Sequence, residues 1–397
     1  MERTRLELLP GVFLTLVRQK ETETACFRAA LLRQLDREEA AMNALLPEVL
    51  LQGTQHHPGP DALRDALERL GGARVAPLAR KLGEVQAVGF TAEFQNDPVM
   101  FSALMQNLSA ILLSPDTKYG MLKKEAVSEA LSAWDTAEAG QTDPFAGLVE
   151  HMCCYEDYAI PALGERPEAG PNYYQKLSRH YRTVLAESPL ELYYAGAVPP
   201  KTAAQILRDC FAALPRGEIN WELGTEIRMN AVEEAPRTAD LSGPQGIGYA
   251  AVGWRLGDAM IEPEPAVLEA LGCVFGYLAR GMEPSVRVDV HKGLLLARCE
   301  TDAAAAETMA MAMQMVMDTI RIAEFSPYAL DDARRARLNQ LRALEGEPAA
   351  LEAYWLEQDL LGLELAPDEY AAFLQEVTLQ EVSAAAAAAE CDAILYE

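Results

Sequence analysis

Hydrophobic positions along this chain alternate between two periods. Val12-Phe-Leu-Thr-Leu-Val-Arg18 is rich in branched and aromatic residues and partly alternates, which predicts a strand. A second strand is predicted over residues 24–32, after the charged turn Lys20-Glu-Thr-Glu23. From Asp36 the spacing becomes helical. Asp36 is placed as an N-cap, Arg37-Glu-Glu39 fills the first turn, and Met42, Leu45, Leu46, Val49 and Leu50 form one stripe that stops at Gly53. Residues 61–70 predict another helix, closed by Gly71-Gly72. Strands are predicted over 73–76 and 84–94, with Gly83 supplying the turn. Helices follow over 98–113, 117–139, 144–155 and 171–186, then a strand over 190–195 and a helix over 201–214.

After Pro215-Arg-Gly217 the order repeats. Strands are predicted over 226–232 and 248–256, a helix over 265–279, and two short strands over 286–290 and 293–299. Helices are predicted over 303–322, 328–344 and 349–361. Thr378 caps a last helix leading into the alanine run 384–389, and 393–396 predicts a terminal strand. Arg74-Val-Ala, Lys81-Leu-Gly83 and Val88-Gly-Phe90 follow one another in the same order as Val286-Arg-Val, His291-Lys-Gly293 and Leu295-Leu-Ala297. Identity is low, so the order carries the argument for a duplication. Strands separated from runs of helices predict an α+β protein, with a mostly antiparallel sheet covered by helices in each half.

Composition narrows the function. The 397 residues exceed what one core usually serves, so two domains are expected, 1–218 and 219–397. With 34 Lys and Arg against 60 Asp and Glu, the net charge is −26, which opposes nucleic acid and anionic membrane surfaces. The acidity suits a basic peptide partner, and it also serves solubility. No secretory hydrophobic region opens the chain, and the longest low-charge stretch, 308–320, contains Asp318 and is too short to cross a bilayer. Seven scattered cysteines (26, 153, 154, 210, 273, 299 and 391) with no Cys-x-x-Cys pair indicate reduced thiols and a cytoplasmic location.

The helix ending at Gly53-Thr54 carries a resemblance. The phrase Asn43-Ala-Leu-Leu-Pro-Glu-Val-Leu-Leu-Gln-Gly-Thr54 resembles the inverted-motif helix of the insulinase/pitrilysin zinc peptidases, in which His-x-x-Glu-His precedes a Gly-Thr. Anchored on Gly53-Thr54, the motif falls on Ala44, Pro47 and Glu48, so the first ligand, the general base and the second ligand are all replaced. Leu67-Glu-Arg-Leu-Gly-Gly-Ala73, Tyr193-Tyr-Ala-Gly-Ala-Val198 and Trp254-Arg-Leu256 extend the likeness over nearly the whole chain. Zinc catalysis needs three protein ligands and a base for the bound water. Ala44 ligates nothing, Pro47 accepts no proton, and one carboxylate at Glu48 is not a site.

The resemblance implies two similar α+β domains facing each other across a cavity. It also implies a degenerate chain similar to the non-catalytic subunit of the mitochondrial processing peptidase and to the bacterial members associated with elongation-factor-P modification. The expected role is a pseudo-peptidase: a partner of an active insulinase-like subunit, or a homodimer, that binds extended peptides without zinc, nucleic acid or membrane. The rival readings are an active zinc peptidase with displaced ligands and a stand-alone peptide-binding module. Displaced-ligand candidates are His56, His57 and Glu48, with Glu125 or Glu129 near the family's third-ligand position; aligning on Val127 puts Ala130 there instead. Arg280 stands where active members hold substrate, but the accompanying tyrosine is missing. Several other features read as structural. His151 with Cys153-Cys154 reads as packing, Gly243-Pro-Gln-Gly-Ile-Gly248 precedes a strand and is no phosphate cradle, and Met309, Met311, Met313, Met315 and Met317 predict a nearly wholly buried helix.

Overall fold

The structure, a computed structural model, describes residues 3–140, 143–228, 236–240, 247–256 and 265–396. The N-terminal half opens with three strands, β1 (Arg3–Leu9), β2 (Val12–Arg18) and β3 (Thr24–Gln34), followed by α1 (Ala40–Leu50) and α2 (Pro60–Arg69). Next come β4 (Arg74–Leu82), β5 (Val85–Gln95), α3 (Phe101–Leu113) and a minimal hairpin, β6 (Thr117–Lys118) and β7 (Met121–Leu122). Helices α4 (Lys124–Gly140), α5 (Ala146–Met152) and α6 (Tyr173–Glu187) lead to β8 (Leu190–Gly196) and α7 (Pro200–Phe211). The second half runs β9 (Arg237–Asp240), β10 (Ile247–Arg255), α8 (Pro265–Leu278), β11 (Ser285–Asp289) and β12 (Leu294–Asp302). It ends with α9 (Ala306–Arg321), α10 (Pro327–Ala343), α11 (Pro348–Leu360), α12 (Pro367–Glu376), α13 (Leu379–Ala388) and β13 (Glu390–Tyr396).

The two larger sheets repeat one topology. The first has the order β4-β5-β3-β8-β2-β1 and the second β11-β12-β10-β13-β9. Superposing the orders pairs β4 with β11, β5 with β12, β3 with β10, β8 with β13 and β2 with β9. In both sheets every neighbour is antiparallel except one: β2 runs parallel to β8, and β9 runs parallel to β13. The motif pairs matched by order occupy equivalent hairpins, β4–β5 and β11–β12. An antiparallel β3–β5 pairing with a close backbone approach explains Gly89, where an added Cβ would lie 1.9 Å from the carbonyl oxygen of Ala29.

The chain forms two compact units that are discontinuous in sequence. One comprises residues 1–141, 160–224 and 345–363, and the other 142–159, 225–344 and 364–397. A single division at 218 therefore assigns α11 and α5 to the wrong sheets, because burial on a sheet face, not chain order, decides where each helix belongs. α1, α3, α4, α6 and α7 supply the core on one face of the first sheet, packing Leu45, Leu46, Phe101, Leu104, Leu108, Leu177, Val184 and Leu207 against Leu14, Phe27, Ala29, Phe90 and Leu192. Its other face is covered by α11 through Leu356, which packs with Ala30, Leu32 and Ala87. In the second unit α5 supplies Leu148, Val149 and Met152 to Ala251, Leu296 and Leu395 of the sheet.

Several predicted elements change on folding. β1 and α12 fall in segments for which the sequence predicts no element. Residues 117–122 make the β6–β7 hairpin in place of a first helical turn, helped by Gly120 at φ 73°. Asp36 accepts from the N–H groups of Glu38 and Glu39 in the turn before α1, so it orders the approach to the helix rather than capping it. The strand expected over 226–232 is not formed at 226–228, and its remainder lies outside the described residues, as do 243–246 of the glycine phrase. α9 is amphipathic: Met313 and Met317 are buried, whereas Met311 and Met315 are exposed, because residues two apart on a helix lie on opposed sides. Among the described residues no helix is long and apolar enough to cross a membrane.

Candidate functional site

α1 is where the chemistry of this fold would be placed. Ten of its eleven residues are buried, so it is a core helix, and Glu48 is the one that reaches the surface. Ala44 is enclosed in the first unit's core. Pro47 lies inside the helix, where it has no N–H to give to the carbonyl of Asn43, four residues earlier. Glu48 is half-buried, and that burial pushes its carboxyl above the usual range.

Next to Ala44 stands a polar group that sequence reasoning missed. Asn43, Gln86 and His180 are all buried and bonded to one another. Gln86 Nε2 donates to the carbonyls of Ala40, at 3.1 Å, and Ala162, at 2.7 Å, which fixes its amide because carbonyls can only accept. Gln86 Oε1 must then accept from Asn43 Nδ2, at 3.0 Å. Asn43 Oδ1 is left to accept from His180 Nε2, at 2.7 Å, which sets the imidazole tautomer. Burial, aided by the charges of Arg33 and Lys176 and opposed by Glu39, lowers His180 to about 4. The ring is neutral, and its Nε2 is occupied as a donor. The clue in the sequence is polar residues set in apolar stripes: Asn43 beside Met42 and Leu46, and His180 between Leu177 and Tyr181.

The helix exit is also rigid. Gly53 has φ 137°, and a Cβ there would lie 2.5 Å from the Gly59 nitrogen. Thr54 N–H donates to the His57 carbonyl at 2.9 Å, and its hydroxyl accepts from the His57 N–H at 3.1 Å. This turn leaves His56 exposed and His57 half-buried. On α4, Val127 and Ala130 point into the core while Glu125 and Glu129 lie exposed. Among the described residues no three His, Cys, Asp or Glu side chains converge to hold a metal. Arg280 belongs to the other unit, is exposed, and donates to the Tyr277 carbonyl while stacking 4.2 Å from that ring.

The donor set does not fit zinc: an alanine, a proline and one glutamate cannot supply ligands and a base. Buried ion pairs instead clasp the discontinuous segments of each unit. Glu352 of α11 pairs with Arg28 at 2.7 Å and Arg80 at 2.8 Å, and Asp359 pairs with Arg3 and Arg5. In the second unit Glu156, just after α5, pairs with Arg255 at 2.6 Å and Lys292 at 2.7 Å. Burial raises Glu156, but its hydrogen bonds to Arg255 and Lys292 outweigh that and hold it below the usual carboxylate range.

No established family profile matches the sequence. Over 94% of its length the chain is 20% identical to the probable inactive metalloprotease YmfF of Bacillus subtilis, covering 92% of that protein. Among solved structures, a conserved protein from Enterococcus faecalis superposes with a TM-score of 0.82 at 18% identity, covering 99% of this chain and 98% of that one. The M16 peptidase inactive domain from Pseudomonas fluorescens gives 0.79 at 13% identity, covering 100% and 97%. The fold is that of the M16-type peptidases. Two of these relatives bear names that mark them as inactive, the Bacillus subtilis protein and the Pseudomonas fluorescens domain.

Proposed function

We propose that this chain is the non-catalytic partner subunit of an active insulinase-type zinc peptidase and grips extended peptides on its behalf. The observation that carries the reading is the state of α1. The fold around it is retained, whereas Ala44 and Pro47 are built into the core and the neighbouring Asn43–Gln86–His180 network is closed on itself. A chain that keeps this scaffold without its chemistry is suited to binding.

Peptide capture would use backbone pairing at a sheet edge, which is tolerant of sequence. The terminal strands of the two sheets are β4 and β1 in one, β11 and β9 in the other. Pro77 in β4 supports an edge role, since a strand proline is tolerated where an N–H is not needed. The net charge of −26 favours basic peptides. Seven free cysteines support a cytoplasmic location. Within the family the reading is of the degenerate bacterial subgroup that includes members associated with elongation-factor-P modification.

The test is co-expression with a His-x-x-Glu-His homologue from the same genome. A stable complex that cleaves basic peptides, where neither chain does so alone, is the expected result. Failure to associate, with peptide binding by this chain alone, would favour a stand-alone module. Stoichiometric zinc in the purified chain, lost in His56→Ala/His57→Ala, would overturn the non-catalytic reading.

A further inference from the structure

The methionine run of α9 has no part in the site around α1. Met313 and Met317 serve the core of the second unit, but Met311, Met315 and Ile322 turn away from it and are 52%, 68% and 64% exposed. Their spacing of four and then seven residues sets them along one side of the helix, with Asp318 between Met315 and Ile322. In the same unit, the solvent side of α10 carries Asp331, Asp332, Arg335, Asn339 and Arg342 instead. A solvated helix face needs no long apolar side chains, and three of them aligned on one face mark a contact surface.

The surface is preformed. Arg321, at the end of α9, donates through Nε to the carbonyl of Ala386 at 3.0 Å and through Nη2 to that of Ala389. Ser383 Oγ donates to the carbonyl of Ile320 at 2.8 Å, so α9 and α13 are fixed beside one another. α13 turns Ala384 and Ala387 to solvent, short side chains that do not obstruct the approach of another helix. The backbone of α9 is already bonded within the helix, so a partner meets side chains only, and ridges packed into grooves suit a second helix better than a strand.

Charge decides which helix. The exposed acids are Glu307 and Asp318 on α9, Glu381 on α13, and Glu324 and Glu390 just beyond their ends. The cation among them is Arg321, whose guanidinium is spent on Asp318 and on the two carbonyls. A second copy docked here would bring acids against acids, and an anionic membrane would be repelled likewise. We infer that the face of α9 bearing Met311, Met315 and Ile322 docks an amphipathic helix of another protein, one whose apolar side is flanked by Lys or Arg. Methionine is flexible and polarizable, so it moulds to differing apolar side chains, and anchors at this spacing are those of helix recognition. Such docking needs no peptide at a sheet edge, so either can fail without the other.

The probe is a synthetic peptide of leucine and lysine at helical spacing, as long as α9, with a leucine–glutamate peptide of the same pattern as control. Titrated into the full chain labelled at its methionine methyl groups, the lysine peptide should move the nuclear magnetic resonance signals of Met311 and Met315 most. Binding read by fluorescence anisotropy should weaken about tenfold or more in Met311→Ser/Met315→Ser, which keeps every charge. Both positions are exposed, so the thermal midpoint of this variant should match that of the parent. Unmoved Met311 and Met315 signals, undiminished binding by the double variant, or equal binding of the glutamate peptide would overturn the inference. Self-association of the full chain that disappears in the double variant would overturn it in favour of a second copy.

Discussion

At the scale of one residue, Pro47 inside α1 has a measurable consequence. A proline mid-helix removes a hydrogen bond and costs about 3 kcal/mol relative to alanine, part of which local relaxation recovers. Pro47→Ala should therefore stabilise the protein by about 1–2 kcal/mol in denaturant unfolding. Loss of stability would mean that the core has come to depend on the ring. His180 gives a pH signature. Its folded value of about 4 lies below the 6.5 of an unfolded histidine, so the unfolded chain binds the proton first. The stability it supports is complete above pH 6.5 and declines as the pH falls from there towards 4, with a limiting slope of about 1.4 kcal/mol per pH unit. His180→Gln should flatten the stability profile over that window, measured by chemical unfolding at each pH. An unchanged profile would remove His180 as the cause.

Among the elements, α11 carries the most consequence. Its two carboxylates, Glu352 and Asp359, lie seven residues apart and so on one helical face, where they meet arginines from β1, β3 and β4. A buried pair is weak evidence of net stability, but removing one member leaves the other charge stranded. Glu352→Gln should cost about 3–5 kcal/mol. In the double variant with Arg28→Met most of that loss should return, and a double-mutant cycle measures the coupling. Purely additive losses would show that the pair does not act as a unit. This arrangement was illegible in the sequence: Arg28 sits in a strand that otherwise reads Ala-Cys-Phe-Arg-Ala-Ala, and its partner is 324 residues away. The hairpins β4–β5 and β11–β12 were legible because Gly83 and Gly293 mark turns between runs of period two.

For the whole molecule, the discontinuity of the units governs how the chain can be divided. Residues 1–218 alone lack α11, and would leave Arg28, Tyr193 and the apolar patch around Ala30 and Ala87 uncovered. That fragment should lack fixed tertiary packing, seen as a lost near-ultraviolet circular dichroism signal and dye binding. Appending residues 345–363 should restore a cooperative transition. A fragment 1–218 that unfolds cooperatively without the addition would show that the exchanged helix is not needed.

The sequence alone determined the α+β class and the duplicated strand–hairpin–helix order, because these depend on local periodicity and on residue identity at a few turn positions. Tertiary structure alone decided which sheet each of α5 and α11 covers, the closed Asn43–Gln86–His180 network and the ion pairs under α11. Each of those depends on groups far apart in the chain meeting in a dry interior, where an unpaired polar atom is costly enough to dictate its partner.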